Sequence, residues 1–550
     1  MRNSLCRSRL TGWTIIACGV MGIMGLRAND APRDDAAALT AAINEAVAAR
    51  LNEAEIAPAP GIDEAHFLRR VTLDLAGRIP TPAEQSVFLA DESPDRRARL
   101  VDRLMASPDF AFHQRNEINR HLLGSQSAPD AWNNYALAAT RENRPWDRIF
   151  REIILPERDD AADSGAGEFL RRRAKDLDNL TNDVAVLLFG VNVSCAKCHD
   201  HPLVDDWKQD HYFGLASFFQ RTYPTQSGLV AEKFDGRLKF TTVEGEEKQA
   251  AFLFLSGDAV DEPAFEWSDE VRKTTEEAVA KAEKEADAPA PPLPDFSPRS
   301  ELVRMALDQG PDGFLARSYV NRVWARLIGH GLVHPLDQMH SENPASHPEL
   351  LAALAADFVE HGYDTQRLIR AIVLSEVYAR DSRWAGGERP APEFFAVANV
   401  RPLTPRQIAL SLDIATSAPD SIAAARDAEA WAAQREQLEN RSAGIATNFE
   451  LPEEHFQVSV DEALLFSNGS SLANDYLKAD DDRLVGILAK AADPDEAATT
   501  AFASVLARLP DDAERAAVVQ YIEERRDRPE DGLRQVVWAL LASPEFRFNH

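Results

Sequence analysis

The chain is expected to fold mainly as α-helices, with a small β insertion near residues 226–270. Three observations carry that expectation. Apolar residues recur at three- and four-residue steps through most of the 550 residues, strict alternation is confined to one short region, and Gly, Pro and Ser clusters punctuate the helical stretches. Apolar residues make up 45% and charged residues 27%, enough for a large core and unlike a disordered chain. At roughly 150 residues per domain the length suggests about three folding units, although a helical array can run longer as one body.

The first 28 residues read as an export signal. Arg2, Arg7 and Arg9 precede an apolar stretch from Leu10 to Leu26, and Leu26-Arg27-Ala28 presents a small residue at a cleavage point. The mature chain is then expected to begin near Asn29 and to reside in the periplasm, at the cell surface or outside the cell. A rival reading makes Ile15-Ile16-Ala17-Cys18 a lipoprotein box with Cys18 as the lipid-bearing residue, but apolar residues continue beyond Cys18 where such proteins turn polar. An uncleaved anchor is the third option. No later run reaches the ~18 apolar residues of a membrane helix, Val184–Val193 being too short, so no span is expected in the mature chain.

Residues 29–60 read as an N-terminal linker and 61–225 as a helical domain. Within the latter, Val87, Phe88, Leu89, Leu100, Val101 and Leu104 keep helical spacing across Pro82 to Leu104, broken at Ser93-Pro94 into a helix–turn–helix. Residues 156–167 are a polar, glycine-containing connection. Alternation around Lys239–Val243 and Ala251–Leu255, next to Gly-containing turns, marks the β insertion. Residues 271–300 begin as a charged Glu/Lys/Ala helix and finish in a proline-rich spacer, where the main domain boundary is placed. The C-terminal helical domain, 301–550, shows helical patterns at Leu302–Leu327, Pro348–His361, Gln366–Ala379 and Leu533–Leu541, and an Ala/Glu/Arg helix at Ser421–Asn440 that is expected to be solvent-exposed.

The two ends echo each other. Arg78-Ile79-Pro80 with Ala83-Glu84 is matched by Arg508-Leu509-Pro510 with Ala513-Glu514, and Ser107-Pro108-Asp109-Phe110 by Ser543-Pro544-Glu545-Phe546. Ser at an N-cap, Pro at the first helical position and an acid in the first turn start a helix cleanly. The separations differ, so shared capping chemistry competes with duplication of a helical unit, which is the favoured reading.

Charge narrows the partners. Sixty Lys and Arg against 89 Asp and Glu give a net charge of −29, and removing the four leader arginines leaves −33. Such a surface repels phosphate backbones and anionic lipid, so nucleic acid is not an expected partner. A redox partner protein, a neutral glycan or a small molecule remain open.

Cysteine usage is more pointed. Cys6 and Cys18 lie in the leader, so the mature protein keeps only Cys195 and Cys198, inside Cys195-Ala196-Lys197-Cys198-His199. Two thiols three residues apart on one turn can each form a thioether with a haem vinyl group, and the next His can reach the iron from the same side. One covalent c-type haem is therefore expected, with Cys195 and Cys198 as attachment points and His199 as axial ligand. Export agrees with it, because attachment occurs outside the cytoplasm. The alternatives are a Cys195–Cys198 disulfide, a thioredoxin-like redox pair, disfavoured by the helical context, or zinc held by Cys195, Cys198, His199 and one of His201 or His211. Asp200, Asp205, Asp206 and Asp210 read as a solvated face and helix caps. For the sixth position of a haem iron, His201 stands too near His199, His211 is the local candidate, and Met339 or His340 would have to arrive from the other domain. Trp207, Tyr212, Phe213, Phe218 and Phe219 would wall a haem or, more commonly, be plain core.

The stretches FLRRVTLDLAGRIPTPAE, LVDRLMASPDF and LLFGVNVSCAKCHDHPLVDDWKQDHYFGLASFF, between Phe67 and Phe219, resemble the cytochrome-like domain of large secreted planctomycete and verrucomicrobial proteins. FLARSYVNRVWARLIGHGLVHPLDQM, ENPASHPELLAALAADF and LIRAIVLSEVYAR, from Phe314 to Arg380, resemble their second domain of unknown function, and VDEALLFSNG and WALLASPEFRFNH resemble its ending. The resemblance covers roughly 60–225 and 300–550. It implies an extracytoplasmic protein called cytochrome-like for its Cys-x-x-Cys-His, with no substrate or reaction attached. Many such proteins carry a further haem domain at the N-terminus, for which residues 29–60 are too short.

Other polar motifs take a structural reading: Asn321-Arg322 with Trp324 as a buried polar pair, Gly329 and Gly331 with Pro335 and Asp337 as a helix stop and turn, and His347-Pro348-Glu349 as a helix start. No nucleophile elbow, phosphate loop or zinc-protease motif is present. The expected role is electron transfer or redox sensing outside the cytoplasm, against a non-redox binding or scaffold protein whose CAKCH segment holds a disulfide or zinc. An oxidoreductase with an open haem is the third option.

Overall fold

Thr81 shows how the helices of this protein begin. Its hydroxyl accepts from the amide of Glu84, the Glu84 carboxylate accepts from the amide of Thr81, and Pro82 opens helix Pro82–Leu89. The same reciprocal cap starts Pro405–Thr416 from Thr404 and Asp512–Glu523 from Asp511. A computed structural model describes residues 36–125, 127–157, 165–265, 267–422, 427–452, 458–468 and 472–550. The leader, with Cys18, lies outside the described residues, as does most of the polar connection at 156–167.

Helices dominate and the described strands form only two-stranded antiparallel ribbons, so the fold is mainly α with small β elements. Thr222–Pro224 pairs with Val230–Glu232, Lys239–Thr241 with Glu247–Gln249, and Phe252–Leu253 with Ala259–Val260. The first of these strands starts at Thr222, just ahead of the expected insertion. A fourth ribbon ties Arg401–Pro402 to Phe548–Asn549 at the C-terminus.

Several elements differ from expectation. Residues 36–53, expected to lie in a linker, form helix Ala36–Glu53, whose buried Leu39, Ile43, Val47 and Leu51 make a stripe against Pro348–Glu360 and Thr365–Val373. The periodic run Leu302–Leu327 is two helices, Pro298–Asp308 and Phe314–Ile328, because Gly310 takes the left-handed region ahead of Pro311. The run Gln366–Ala379 stops at Val373, and beyond it the carbonyls of Tyr378 and Arg380 accept from Nη1 of Arg70. The helix expected to be exposed at Ser421–Asn440 is Ala428–Ala446, and its Trp431, Arg435, Leu438 and Glu439 are buried. Arg435 and Glu439 join a buried ion-pair network, which composition alone does not reveal, while Glu429, Glu436 and Arg441 are exposed.

The core lies in two apolar clusters. The larger runs from Leu39 to Leu255 and resumes from Phe296 to Val397, so it draws on both sides of the proline-rich spacer. The smaller spans Leu403 to Phe546 and takes in Leu73 and Ile79. Helix Glu64–Ala76 joins them, being buried on every side from Phe67 to Ala76. Its Asp74 accepts from Tyr378 at 2.6 Å, from Arg401 at 2.7 and 2.8 Å and from Asn549 at 3.0 Å, so the carboxylate is satisfied inside the protein. Burying each large aliphatic or aromatic side chain of these clusters contributes about 1.5–3 kcal/mol.

The echoed motifs make the same bonds. Arg78 holds Glu84 and Asp109, and Arg508 holds Glu514 and Glu545, each arginine also donating to the carbonyl of the next residue. Among the described residues no helix is long and apolar enough to cross a membrane.

Candidate functional site

Helix Leu177–Phe189 delivers the chain to the CAKCH segment. Asp176 caps its start, and Gly190 ends it in the left-handed region at φ 69°. A Cβ on Gly190 would meet the Ser318 hydroxyl at 2.9 Å and the Leu336 carbonyl at 3.2 Å, so glycine is required both for its conformation and for close packing. Val191 then pairs with Gln338, the Met339 amide donates to the Gly190 carbonyl at 3.0 Å, and Asn192 donates to Asp337 at 3.2 Å.

Cys195 sits on a 3₁₀ turn, Ser194–Lys197, pinned by the fully buried Ala196, and Cys198 caps the end of that turn. Cys195 and Cys198 are exposed, with thiols bonded neither to each other nor to another cysteine. The turn is held from below. Gln209 donates to the Cys198 carbonyl at 3.3 Å and accepts from the Val243 amide at 3.2 Å, while Asp200 accepts from the Gln209 amide at 2.9 Å. Lys197 pairs with Asp178, which also accepts from Tyr212 at 2.6 Å, and these two bonds hold the Asp178 carboxyl below its ordinary range.

The three local histidines differ in which ring nitrogen is free. His199 places Nδ1 2.7 Å from the Asp200 carbonyl, which can only accept, so Nδ1 carries the proton and Nε2 keeps its lone pair. His201 and His211 accept at Nδ1, from Leu203 at 3.3 Å and Lys208 at 3.2 Å, so each neutral ring carries its proton on Nε2. A metal-bound His characteristically donates its other ring N–H to a carbonyl or carboxylate, and His199 has that arrangement. The thiols and His199 thus fit the attachment of a c-type haem.

The segment holding Met339 and His340 runs beside this loop. Ser341 donates from its amide and its hydroxyl to the two oxygens of Asp206, both at 2.7 Å, which ties residues 337–341 along the loop that follows His199. His340 has a buried Nδ1 without a hydrogen-bond partner, and burial lowers its pKa, with Asp206 and His201 close enough to add opposing contributions. Met339 is buried in the larger core cluster. Asp210 pairs with Lys248 and Asp200 caps the Gln209 amide, so these acids act as surface and cap groups. Trp207, Tyr212, Phe218 and Phe219 are core, with Phe213 packed against it. Among the described residues no three His, Cys, Asp or Glu side chains stand together in a metal-holding group.

Sequence reasoning missed a cavity of about 410 Å³ formed by helices Pro108–Leu123, Trp146–Ile154 and Phe314–Ile328, which Leu336 and His334 also reach. Arg322 was read as one of a buried structural pair. Asn321 does play that part, donating to the Val333 carbonyl at 2.8 Å and accepting from its amide at 3.0 Å, whereas Arg322 lines the cavity. The available signal was the spacing Gln114, Glu117, His121 on one helix and Arg322, Arg326 on another, polar stripes facing inward in otherwise apolar surroundings.

Residues 42–223 match the PSCyt2 family model, described as a protein of unknown function (DUF1549). Residues 298–522 match the PSD1 model, described as a protein of unknown function (DUF1553). Both are planctomycete-type domains. No curated protein and no solved structure matches the chain.

Proposed function

We propose that this chain is an extracytoplasmic electron-transfer or redox-sensing protein carrying one covalent c-type haem on Cys195 and Cys198, with His199 as axial ligand. The observation that carries the reading is the His199–Asp200 hydrogen bond, which leaves Nε2 ready to bind a metal beside two free, exposed thiols on one turn. Attachment needs no oxidant: each S–H adds across one vinyl double bond, sulfur bonding to one carbon and hydrogen to the other. A haem so held supplies a one-electron Fe(III)/Fe(II) couple.

The protein's own contribution is position. Buried Ala196 and the Gln209 bond fix the turn, so both thiols are presented from a rigid base. Asp200 fixes the imidazole tautomer with its carbonyl while its carboxylate anchors the loop to Gln209. The strongly acidic surface suits a cationic redox partner, which it would steer at low ionic strength.

The test is a reduced pyridine haemochrome spectrum, with the mass of the denatured protein, on chain made in a host that matures c-type cytochromes. A c-type band and one added haem mass are expected. Cys195→Ala and Cys198→Ala should each abolish or cripple attachment, and His199→Ala should keep the haem while changing its spin state. Absence of both signals, in a host that loads a control cytochrome, overturns the proposal.

A further inference from the structure

The cavity between helices Pro108–Leu123, Trp146–Ile154 and Phe314–Ile328 is built from donors that have nothing to donate to. Gln114 gives its carbonyl oxygen to Arg326 Nη1 at 2.9 Å, which leaves its amide nitrogen, buried, without an acceptor. Trp146 Nε1 is also buried and unpartnered, on a side chain only 1% exposed. Arg322 spends one nitrogen on the Val186 carbonyl and leaves Nε unpaired; Arg326 leaves both Nε and Nη2 unpaired. A buried donor left without an acceptor is destabilising, more so where the group is charged. These five atoms belong to four side chains that line one cavity, Gln114, Trp146, Arg322 and Arg326, so the unmet donors cluster around it rather than scatter through the core.

The charge points the same way. Arg120, Arg144, Arg322 and Arg326 line the cavity against a single carboxylate, Glu117. Glu117 is already taken by Arg120 at 2.6 Å, and Arg144 by Glu142 and Glu152. Arg326 stands 3.9 Å from Glu117 and, among the described residues, Arg322 makes no ion pair, though the Asp337 charge acts on it; the lining itself keeps an excess of positive charge inside a chain whose net charge is −29. Burial lowers the Arg322 pKa to about 10, still charged at neutral pH.

The rest of the lining includes aromatic and apolar side chains. Trp146 stacks on Tyr319 with ring centroids 4.0 Å apart and planes 18° apart, and Phe110, Ile149 and Val323 continue the surface. About 410 Å³ lies in the range of small-molecule sites, which join an apolar body to a few fixed polar groups. We propose that this cavity binds a small aromatic carboxylate, its ring against the Trp146–Tyr319 stack and its carboxylate taking the free donors of Arg322, Arg326 and Gln114. The site lies apart from Cys195 and Cys198 and does not rest on the haem reading.

The test is saturation-transfer NMR and calorimetry on the full chain with benzoate, 4-hydroxycinnamate, indole-3-acetate and 2-naphthoate, each beside its neutral amide. At least one acid should bind saturably and at least ten-fold more tightly than its amide, and Arg322→Gln or Arg326→Gln should weaken it ten-fold or more in protein whose circular dichroism is unchanged. Should those variants fail to fold, Gln114→Glu, which replaces a donor by a negative charge beside Arg326, should weaken the acid more than the amide. No saturable binding by any of the four acids overturns the proposal, as does equal binding of acids and amides.

Discussion

Arg78 donates from its two terminal nitrogens to the two carboxylate oxygens of Glu84, at 2.8 and 2.9 Å, with both side chains almost wholly buried. Asp109 takes the other edge of the guanidinium and also accepts from Trp431 and from Arg435, each at 2.7 Å. Arg435 passes on to Glu439, and Glu439 to Arg115, both at 2.6 Å. One continuous chain of charge-assisted bonds therefore runs from the N-terminal motif to helix Ala428–Ala446.

Removing one member of a buried network strands the others, at a cost of about 3–5 kcal/mol. Arg78→Ala is expected to lose that much in urea unfolding. Arg508 makes the matching bonds to Glu514 and Glu545 with side chains 19–32% exposed, where water can replace the lost partner. Arg508→Ala should therefore cost about 1–2 kcal/mol. Equal losses at the two sites would contradict the argument from burial.

That contrast also shows how far the sequence could be read. The motif pairs, the cap at Ser543 and the helix stop at Gly329 were legible, because a cap or a left-handed glycine is a local requirement of a few neighbouring residues. The burial of Trp431, Arg435 and Glu439 was not, since a charged residue reads as solvated until its distant partner is known. The turn bearing Cys195 and Cys198 was legible as chemistry. The tautomer of His199 and the arrival of Ser341 at Asp206 depend on contacts across many residues, and so did the cavity, whose walls come from separate helices.

Asn321 should be intolerant of apolar replacement. It is fully buried and meets both the amide and the carbonyl of Val333, so one side chain completes a turn that the backbone cannot close. Asn321→Leu leaves two buried backbone groups unpaired and is expected to cost about 2–4 kcal/mol. Thermal and urea unfolding would show it. A loss below about 0.5 kcal/mol would mean that water reaches Val333.

The Ser341–Asp206 clasp is expected to govern local opening near the thiols rather than global stability. Asp206 receives two bonds from Ser341 at a solvent-accessible position, so losing them should shift overall stability by no more than about 1 kcal/mol. Asp206→Ala should raise amide hydrogen exchange across 199–208 and 337–343, whereas Asp205→Ala, at an exposed neighbour, should leave it unchanged. Identical exchange in the two variants would remove the clasp from the account.

Acid should destabilise the protein in two stages, the first set by histidines whose pKa burial lowers, His347 among them with His113, His121 and His550. His347 is 5% exposed, its Nε2 is buried without a partner, and burial, with Arg50 nearby, lowers its pKa to about 4 from an ordinary 6.5. Between those values the unfolded chain takes up the proton and the folded one does not, so stability falls as pH falls, by up to about 1.4 kcal/mol per pH unit for this group. Glu117 and Glu439 act lower. Arginines hold both near 2 against an ordinary 4.5, so their stabilisation is complete above 4.5 and is lost as pH falls from there toward 2. His347→Asn puts a residue favoured at helix starts at the N-cap position of helix Pro348–Glu360, where His347 itself makes no side-chain cap bond, and removes the titration. Urea unfolding at pH 7, 6 and 5 should show a shallower loss in the variant, by up to about 1.4 kcal/mol per pH unit, with the two curves parallel again below pH 4. Parallel curves across the whole range would place the His347 proton equilibrium at the same pH in both states, and the burial argument would fail with it.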